Sequence, residues 1–208
     1  MRQVTRTWTI AGSGLILCGV LGMMRFTMYG GPGTAVLTAV ADVVWAVAVL
    51  LFAIGLSREA SVVARRPLGL TALAIVALWP LAATALGAAL SQTDPTGAGA
   101  GWQVLGYASL LIPAAAGLIG GVQLGRAGVI PAPWRWAPLW VLAAQAAAWA
   151  LPQILFVALG PDDVQPVAAA LAAIGTLPFL AATVGLGVLA LVLAARQRPA
   201  SVDVFRSA

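Results

Sequence analysis

The sequence predicts an all-α polytopic membrane protein with six transmembrane helices, and two observations support this prediction. Hydrophobic residues fill 62% of the 208 positions and charged residues only 8%, which is too little polar surface to coat a water-soluble globule. The apolar residues also fall into six long runs, and a helix needs about 20 such residues to cross the hydrocarbon core of a bilayer. We therefore expect residues 1–208 to form a single transmembrane bundle.

Short links connect the predicted spans, which cover residues of about 8–26, 34–56, 68–90, 102–124, 138–159 and 167–195. The first run is too long for the apolar region of a signal peptide and lacks a small-residue cleavage site, so we expect it to be retained. A Gly-rich link then makes the first and second spans antiparallel neighbours. Polar loops separate the later spans, and the last run is the longest, which predicts a tilted helix.

The arginines predict the orientation of the bundle. All eleven basic residues are arginines, and all except Arg25, which flanks the first link, lie at the N-terminus, in the second-to-third and fourth-to-fifth links, or after the last span. In the two other long loops, the only charged residues are aspartates: Asp94 in the first, and Asp162 and Asp163 in the second. Asp162 and Asp163 are predicted to be solvated or to cap the sixth span. Positively charged loops stay on the cytoplasmic side, so we expect both termini in the cytoplasm and the chain in a bacterial cell membrane.

Composition narrows the classes of function. Cys18 is the only cysteine, which excludes an intramolecular disulfide and a cysteine metal cluster. The absence of histidine removes bis-histidine haem ligation, HExxH zinc sites and a histidine base. We therefore expect no metal and no cofactor. The arginines lie beside apolar runs and not in a basic patch interleaved with aromatics, so we expect no nucleic acid partner.

Asp42 is the residue against which we interpret the other spans, because it lies well inside the second one. A carboxylate at this depth costs about 2.5 to 3.5 kcal/mol, so it normally faces the bundle or a wet cavity. Thr38 and Trp45, at i−4 and i+3, share its helix face. Three alternatives stay open for its partner: the cation of Arg25, a Thr or Gln side chain, or burial as a protonated hydrogen-bond donor.

A second polar stripe lies on the fifth span, where Gln145, Trp149 and Gln153 stand at i, i+4 and i+8. At about the same depth, spans three to six each contain a proline, and proline kinks a helix. Kinks at one depth would widen the bundle, so the sequence predicts a cavity in the outer half. The predicted ligand-binding residues are Asp42, Trp45, Trp79, Trp149, Gln153, Gln145 and Thr38.

Such a cavity suits a cationic, apolar or lipid-like ligand, held by one charge and several aromatic faces. The alternative is structural: Gln and Thr often join helices by hydrogen bonds, and Trp fills volume. On the fourth span, Gly117, Gly121 and Gly125 form a ridge of small residues, predicted to pack another helix of the chain or a second copy.

Three functions are compatible with these patterns. The first is a transporter-like membrane protein that binds a small molecule or lipid, with Asp42 binding a cation or proton. The second is a non-catalytic membrane subunit or regulator that docks a partner chain through its Gly ridge and cytoplasmic arginine loops. The third is a membrane-embedded enzyme acting on an isoprenoid or lipid with Asp42 as general acid. A single intramembrane carboxylate, without a second acid or base, makes catalysis the weakest of the three.

Overall fold

The protein is all-helical in its described residues, with six helices long and apolar enough to span a membrane. The structure, a computed structural model, describes residues 2–27, 31, 33–56, 61–64, 66–159 and 168–196. Asp162 and Asp163 therefore lie outside the described residues. The first five spans are α1 (Arg2–Thr27), α2 (Thr34–Ile54), α3 (Pro67–Thr93), α4 (Ala100–Ala127) and α5 (Ala137–Leu159). The sixth is made of α6 (Ala168–Leu180), a π-helical turn (Ala181–Gly185) and α7 (Leu186–Arg196).

The helix boundaries extend past the apolar runs in two places. Helix α1 begins at Arg2, ahead of the run predicted from residue 8, and α3 continues to Thr93. Apolar character marks only the part of a helix that lies in lipid, whereas the backbone hydrogen bonds of a helix continue into the polar flanks. The six spans themselves are confirmed.

The spans form a closed ring in which each helix packs against its neighbours in sequence and the last returns to the first. The contacts fix antiparallel directions: Cys18 Sγ lies 3.6 Å from the carbonyl oxygen of Ala41, and Thr84 bonds to Asp42. We call the two ends of the ring the Trp8 end and the Asp94 end. Each odd-numbered span thus starts at the Trp8 end, and each even-numbered span starts at the Asp94 end.

Glycines let α1 approach the sixth span at backbone distance. A Cβ atom on Gly12 would lie 2.9 Å from the carbonyl oxygen of Gly187, and one on Gly187 would lie 2.8 Å from the carbonyl oxygen of Gly12. About two and three helical turns further on, Gly19 and Gly22 accommodate Thr183 and Phe179. In a membrane, such close approach supplies the van der Waals contact that the hydrophobic effect does not provide between helices.

The π-helical turn lies at this same contact. Thr183, which is 1% exposed, donates its hydroxyl to the carbonyl oxygen of Phe179 at 2.8 Å. A hydroxyl that bonds back to the preceding turn competes with the backbone ladder and bends helices. The π turn follows Pro178, which itself removes one backbone donor from α6.

Candidate functional site

The centre of the ring contains a cavity of about 880 Å³ that all six spans line. This volume lies in the range of small-molecule and cofactor sites. Apart from the indole rings, only two side chains in its lining carry polar groups, Ser109 and Gln145. The walls include Leu15 of α1, Val49 of α2, Leu73 of α3, Leu142 of α5 and Leu186 of α7. The site is therefore an apolar chamber within the membrane-spanning part of the chain.

A cluster of buried apolar residues forms the floor of this cavity at the Trp8 end. Trp8 is 2% exposed and meets the ring of Phe52 edge-to-face at a centroid distance of 6.1 Å. The segment after α2 folds into the same cluster and places Val62 in the floor of the cavity. Two hydrogen bonds hold this segment to α2. The Ser61 hydroxyl donates to the carbonyl oxygen of Ala53, and the backbone amide of Val62 donates to the carbonyl oxygen of Phe52.

The cavity reaches the outside of the ring between α4 and α5. Gly120 faces α3, because a Cβ atom there would lie 3.1 Å from Leu73 Cδ2. Leu111 is nine residues away, two and a half helical turns, so it projects from the opposite side of α4. Leu111 and Leu118 nevertheless line the cavity while being 62% and 55% exposed. The cavity is therefore open sideways, toward the hydrocarbon of the bilayer.

Three close contacts hold α4 and α5 together below this opening. Gly117 packs against Leu142, Gly121 against Leu139, and Gly125 against the ring of Trp136. The glycine ridge thus packs within the chain and sets the lower edge of the opening. Nearer the Asp94 end, a Cβ atom added to Gly106 would have no described atom of another residue within 4 Å. The two helices diverge toward the Asp94 end.

Asp42 accepts a hydrogen bond from the hydroxyl of Thr84, with Oδ2 2.6 Å from Oγ1. The carboxylate is partly buried between α2 and α3 and does not line the cavity. This contact corresponds to the threonine partner among the alternatives that the sequence leaves open. Thr38, one turn earlier, donates its own hydroxyl to the carbonyl of Thr34 at 2.8 Å.

Trp45 both lines the cavity and completes the hydrogen bonding of α3. Its Nε1 donates to the carbonyl oxygen of Val76 at 3.1 Å. Val76 lies four residues before Pro80, whose missing N–H would otherwise bond to that carbonyl. Thr84 lies four residues after Pro80 and bonds to Asp42. Helix α2 therefore contacts α3 one turn before the proline, through Trp45, and one turn after it, through Asp42.

The stripe on α5 continues the cavity wall. Gln145 lines the cavity, and Trp149 and Gln153 follow it on the same helix face toward the Asp94 end. Trp149 is 52% exposed and Gln153 is exposed as well. Among the residues that the structure describes, no hydrogen-bond partner meets the amide of Gln145 or of Gln153. Trp79 lies apart from the cavity, and its buried Nε1 has no partner within the described ranges.

The position of the cavity differs from the sequence expectation of an outer-half cavity at the depth of Asp42. Its lining extends from Trp8 only to the level of Pro80, Ser109 and Ala146. The physical reason is side-chain size. Gly117 and Gly121 carry no side chain and line the cavity in the Trp8 half, whereas the proline positions say nothing about which side chains face the ring axis.

Sequence reasoning missed the residues that build the chamber, although a signal for part of them was present. Gly12 and Gly14 in α1, and Gly187 in the sixth span, mark close helix contact as clearly as the ridge on α4 does. No comparable signal marks Trp8, Val62 and Ile130, which meet only because the ring closes.

Within the described ranges, no group of three metal-ligating side chains comes together. Cys18 packs inside the bundle against α2. The chemistry of the site is thus that of apolar contact with a few hydrogen-bonding groups at one edge. No family model, no curated protein and no solved structure matches the chain, so its function has to be argued from its own residues.

Proposed function

We propose that the protein binds an elongated, apolar ligand of the lipid class inside the ring of helices and handles it in a transporter-like way. The observation that carries this proposal is the cavity of about 880 Å³, walled by six spans and lined almost wholly by apolar side chains. A hydrocarbon chain loses nothing by leaving lipid for such walls, whereas a hydrated ion would leave its water without replacement.

The polar groups nearby favour a lipid over a free cation. Asp42 already accepts the hydroxyl of Thr84 and lies outside the cavity lining. Ser109 and Gln145 supply neutral hydrogen-bonding groups at the edge of the chamber nearer the Asp94 end. The transport role rests on the sideways opening, which gives a membrane-dissolved ligand a route that avoids water.

Native mass spectrometry of the detergent-purified protein tests binding. Ala146 lines the cavity on α5, and the adjacent Ala147 is exposed without lining it. Ala146→Phe should fill the chamber and reduce the lipid-bound fraction about tenfold, a change of about 1.4 kcal/mol. Ala147→Phe, the matched control, should leave the fraction unchanged. Equal lipid occupancy in both variants, or none in the wild type, refutes the proposal.

A thermal-shift measurement with a long-chain alcohol as the probe gives a second readout. A ligand present at about 100 times its Kd stabilises the folded state by about 2.7 kcal/mol. We expect this stabilisation in the wild type and Ala147→Phe and its loss in Ala146→Phe. Stabilisation of all three proteins alike would show that the probe binds outside the chamber.

We also infer that the Trp8 end faces the cytoplasm of a bacterial cell. The described arginines at that end are Arg2, Arg6, Arg66, Arg126, Arg135 and Arg196, whereas Arg25 and Asp94 lie at the other end. Single cysteines at Ala98 and Ala132, in a Cys18→Ala background, test this orientation. A membrane-impermeant maleimide added to intact cells should label the cysteine at Ala98 and spare the one at Ala132; the reverse pattern refutes it.

A second candidate function, docking of a partner chain, is favoured by one feature of α5. None of the residues in its span is buried within the protein, and Trp140 is 76% exposed. A bare helix face in a membrane contacts either lipid or another helix. Photo-crosslinking from position 140 in cells should then yield a discrete adduct with one protein; crosslinks to lipid alone would remove this candidate.

A further inference from the structure

The opening between α4 and α5, together with the polar stripe beside it, defines how a ligand would enter and in which direction it would lie. We propose that the ligand is a long-chain lipid with a neutral hydrogen-bonding group (hydroxyl, carbonyl or ester), which enters sideways between α4 and α5. Its chain lies in the apolar chamber, and its polar group lies along Gln145 and Gln153. This inference rests on the proposed function, because it assumes that the chamber is occupied.

The route follows from which residues line the cavity. The lining includes the inner face of α4, through Pro113 and Leu124, and also the outward-facing Leu111 and Leu118. The cavity is thus continuous from the inside of the ring to its outer surface, and it runs between α4 and α5. At the Trp8 end, by contrast, the buried cluster around Trp8 and Val62 forms the floor of the chamber. The opening between α4 and α5 therefore gives a ligand dissolved in the bilayer a direct route into the chamber.

The direction of the ligand follows from the two amides. Gln145 lies at the inner edge of the opening, and Gln153 lies two turns nearer the Asp94 end on the same face. An amide placed in hydrocarbon without a hydrogen-bond partner is strongly disfavoured. Neither amide has a partner in the described part of the chain. The polar group of a lipid, held at this edge, would supply one.

The chemical class of that polar group follows from what surrounds it. The stripe consists of two amides and the indole of Trp149, and it carries no charge of its own. Amides donate and accept hydrogen bonds, so they match hydroxyl, carbonyl or ester groups. Neutral partners therefore suit this stripe, whereas a strongly charged headgroup would need counter-charges that the stripe does not contain.

Photolabelling tests the direction of binding. The probes are two long-chain alcohols, each with one diazirine, either beside the hydroxyl or at the far end of the chain, added to the wild-type protein in phosphatidylcholine nanodiscs. The far-end diazirine should label Leu124 and Leu142, and the other should label the segment from Trp149 to Gln153. A reversed pattern, or labelling only of outward residues such as Trp140, overturns the inference.

Exchange kinetics test the route. Leu111→Trp places an indole at the opening, and Ile112→Trp places the same group on an exposed neighbour that does not line the cavity. Leu111→Trp should slow the exchange of a labelled long-chain alcohol about tenfold, while Ile112→Trp exchanges at the wild-type rate. Unchanged exchange in Leu111→Trp overturns the route.

A last comparison tests the amides and separates the two proposals. Gln145→Leu/Gln153→Leu should weaken retention of the long-chain alcohol about tenfold but leave retention of an alkane of equal length unchanged. Gln103→Leu, an exposed glutamine on α4, serves as the control. If both ligands stay bound to the double variant as to the wild type, the polar-group assignment fails while the chamber stands. If neither binds the wild type, the proposed function itself fails.

Discussion

The two sides of the ring are packed in opposite ways. In α1, α2 and the sixth span, 44%, 28% and 39% of the residues in the most apolar window are buried, whereas in α3, α4 and α5 the shares are 6%, 17% and 0%. Both sides have a similar composition, rich in Ala, Gly and Leu. The two sides differ in which residues of the neighbouring helix their glycines face.

On the close-packed side, Gly12 of α1 and Gly187 of the sixth span face each other, so these two backbones meet. On the open side, the glycines of α4 receive large side chains of α5 (Leu142, Leu139 and Trp136), which keep the two backbones farther apart. One half of a membrane bundle can thus serve as a rigid wall, while the other half leaves room for a ligand.

The largest effect should come from Gly12→Val, on the close-packed side. Any Cβ at residue 12 meets the carbonyl oxygen of Gly187 at 2.9 Å, and two backbones cannot yield as a flexible side chain can. We expect destabilisation of about 3 kcal/mol, measured by unfolding in mixed micelles. Gly106→Val, on the open side, has no neighbour within 4 Å among the described residues and should change stability little. Equal losses in both variants would abolish the distinction.

The second effect concerns the boundary between the two sides, where α2 supports α3 on either side of Pro80. Trp45→Phe removes the donor to the carbonyl of Val76 and should cost about 1 to 2 kcal/mol, because that carbonyl stays unsatisfied. In a Pro80→Ala background, the new backbone N–H bonds the same carbonyl. Trp45→Phe should then cost less, and additive losses in this double-mutant cycle would contradict the assignment.

The third effect concerns Asp42 and Thr84, one turn farther along α3. Thr84→Val removes the hydroxyl donor and should destabilise the protein by about 0.6 kcal/mol, the average for such bonds in membrane proteins. Asp42→Asn keeps an acceptor oxygen and should retain most of the stability. If Asp42→Asn instead abolishes lipid binding without loss of stability, Asp42 has a role in the site beyond support of α3.

The smallest effect is expected in the loop between α3 and α4, which joins two helices of the open side. Asp94 accepts hydrogen bonds from Thr96 and from the backbone amide of Gly99, and these bonds lower the pKa of its carboxyl below the ordinary 3.8. A lowered pKa means that this stabilisation is present above pH 3.8 and is lost as the pH falls through the value in the folded protein.

Asp94→Ala should therefore lower the melting temperature slightly at neutral pH and remove part of the acid sensitivity below pH 3.8. The group is exposed and screened by salt, so the difference should shrink at high ionic strength. Melting curves of both proteins between pH 2.5 and 7 in about 0.05 and 0.5 M salt check this. An acid profile identical to that of the wild type would contradict the assignment.

The site was predictable only in part. Trp45 and Gln145 line the cavity, and both stand out in the sequence as polar or aromatic residues within apolar runs. Asp42 stands out more clearly, yet it contacts Thr84 and not the chamber, because a side chain's partner depends on which helix lies beside it. The choice between a threonine and an arginine partner cannot be made from one helix alone.

The class of the protein, the number of its spans and the antiparallel order of neighbours could be predicted from the sequence, because lipid requires about 20 apolar residues per helix and short links permit no other order. Where the ring is closely packed and where it is open depends on the tertiary fold. That difference depends on whether small residues on two helices face each other, as Gly12 and Gly187 do, or face large side chains, as Gly121 and Leu139 do. Pairing between helices is a property of the closed ring and is not encoded in any one span.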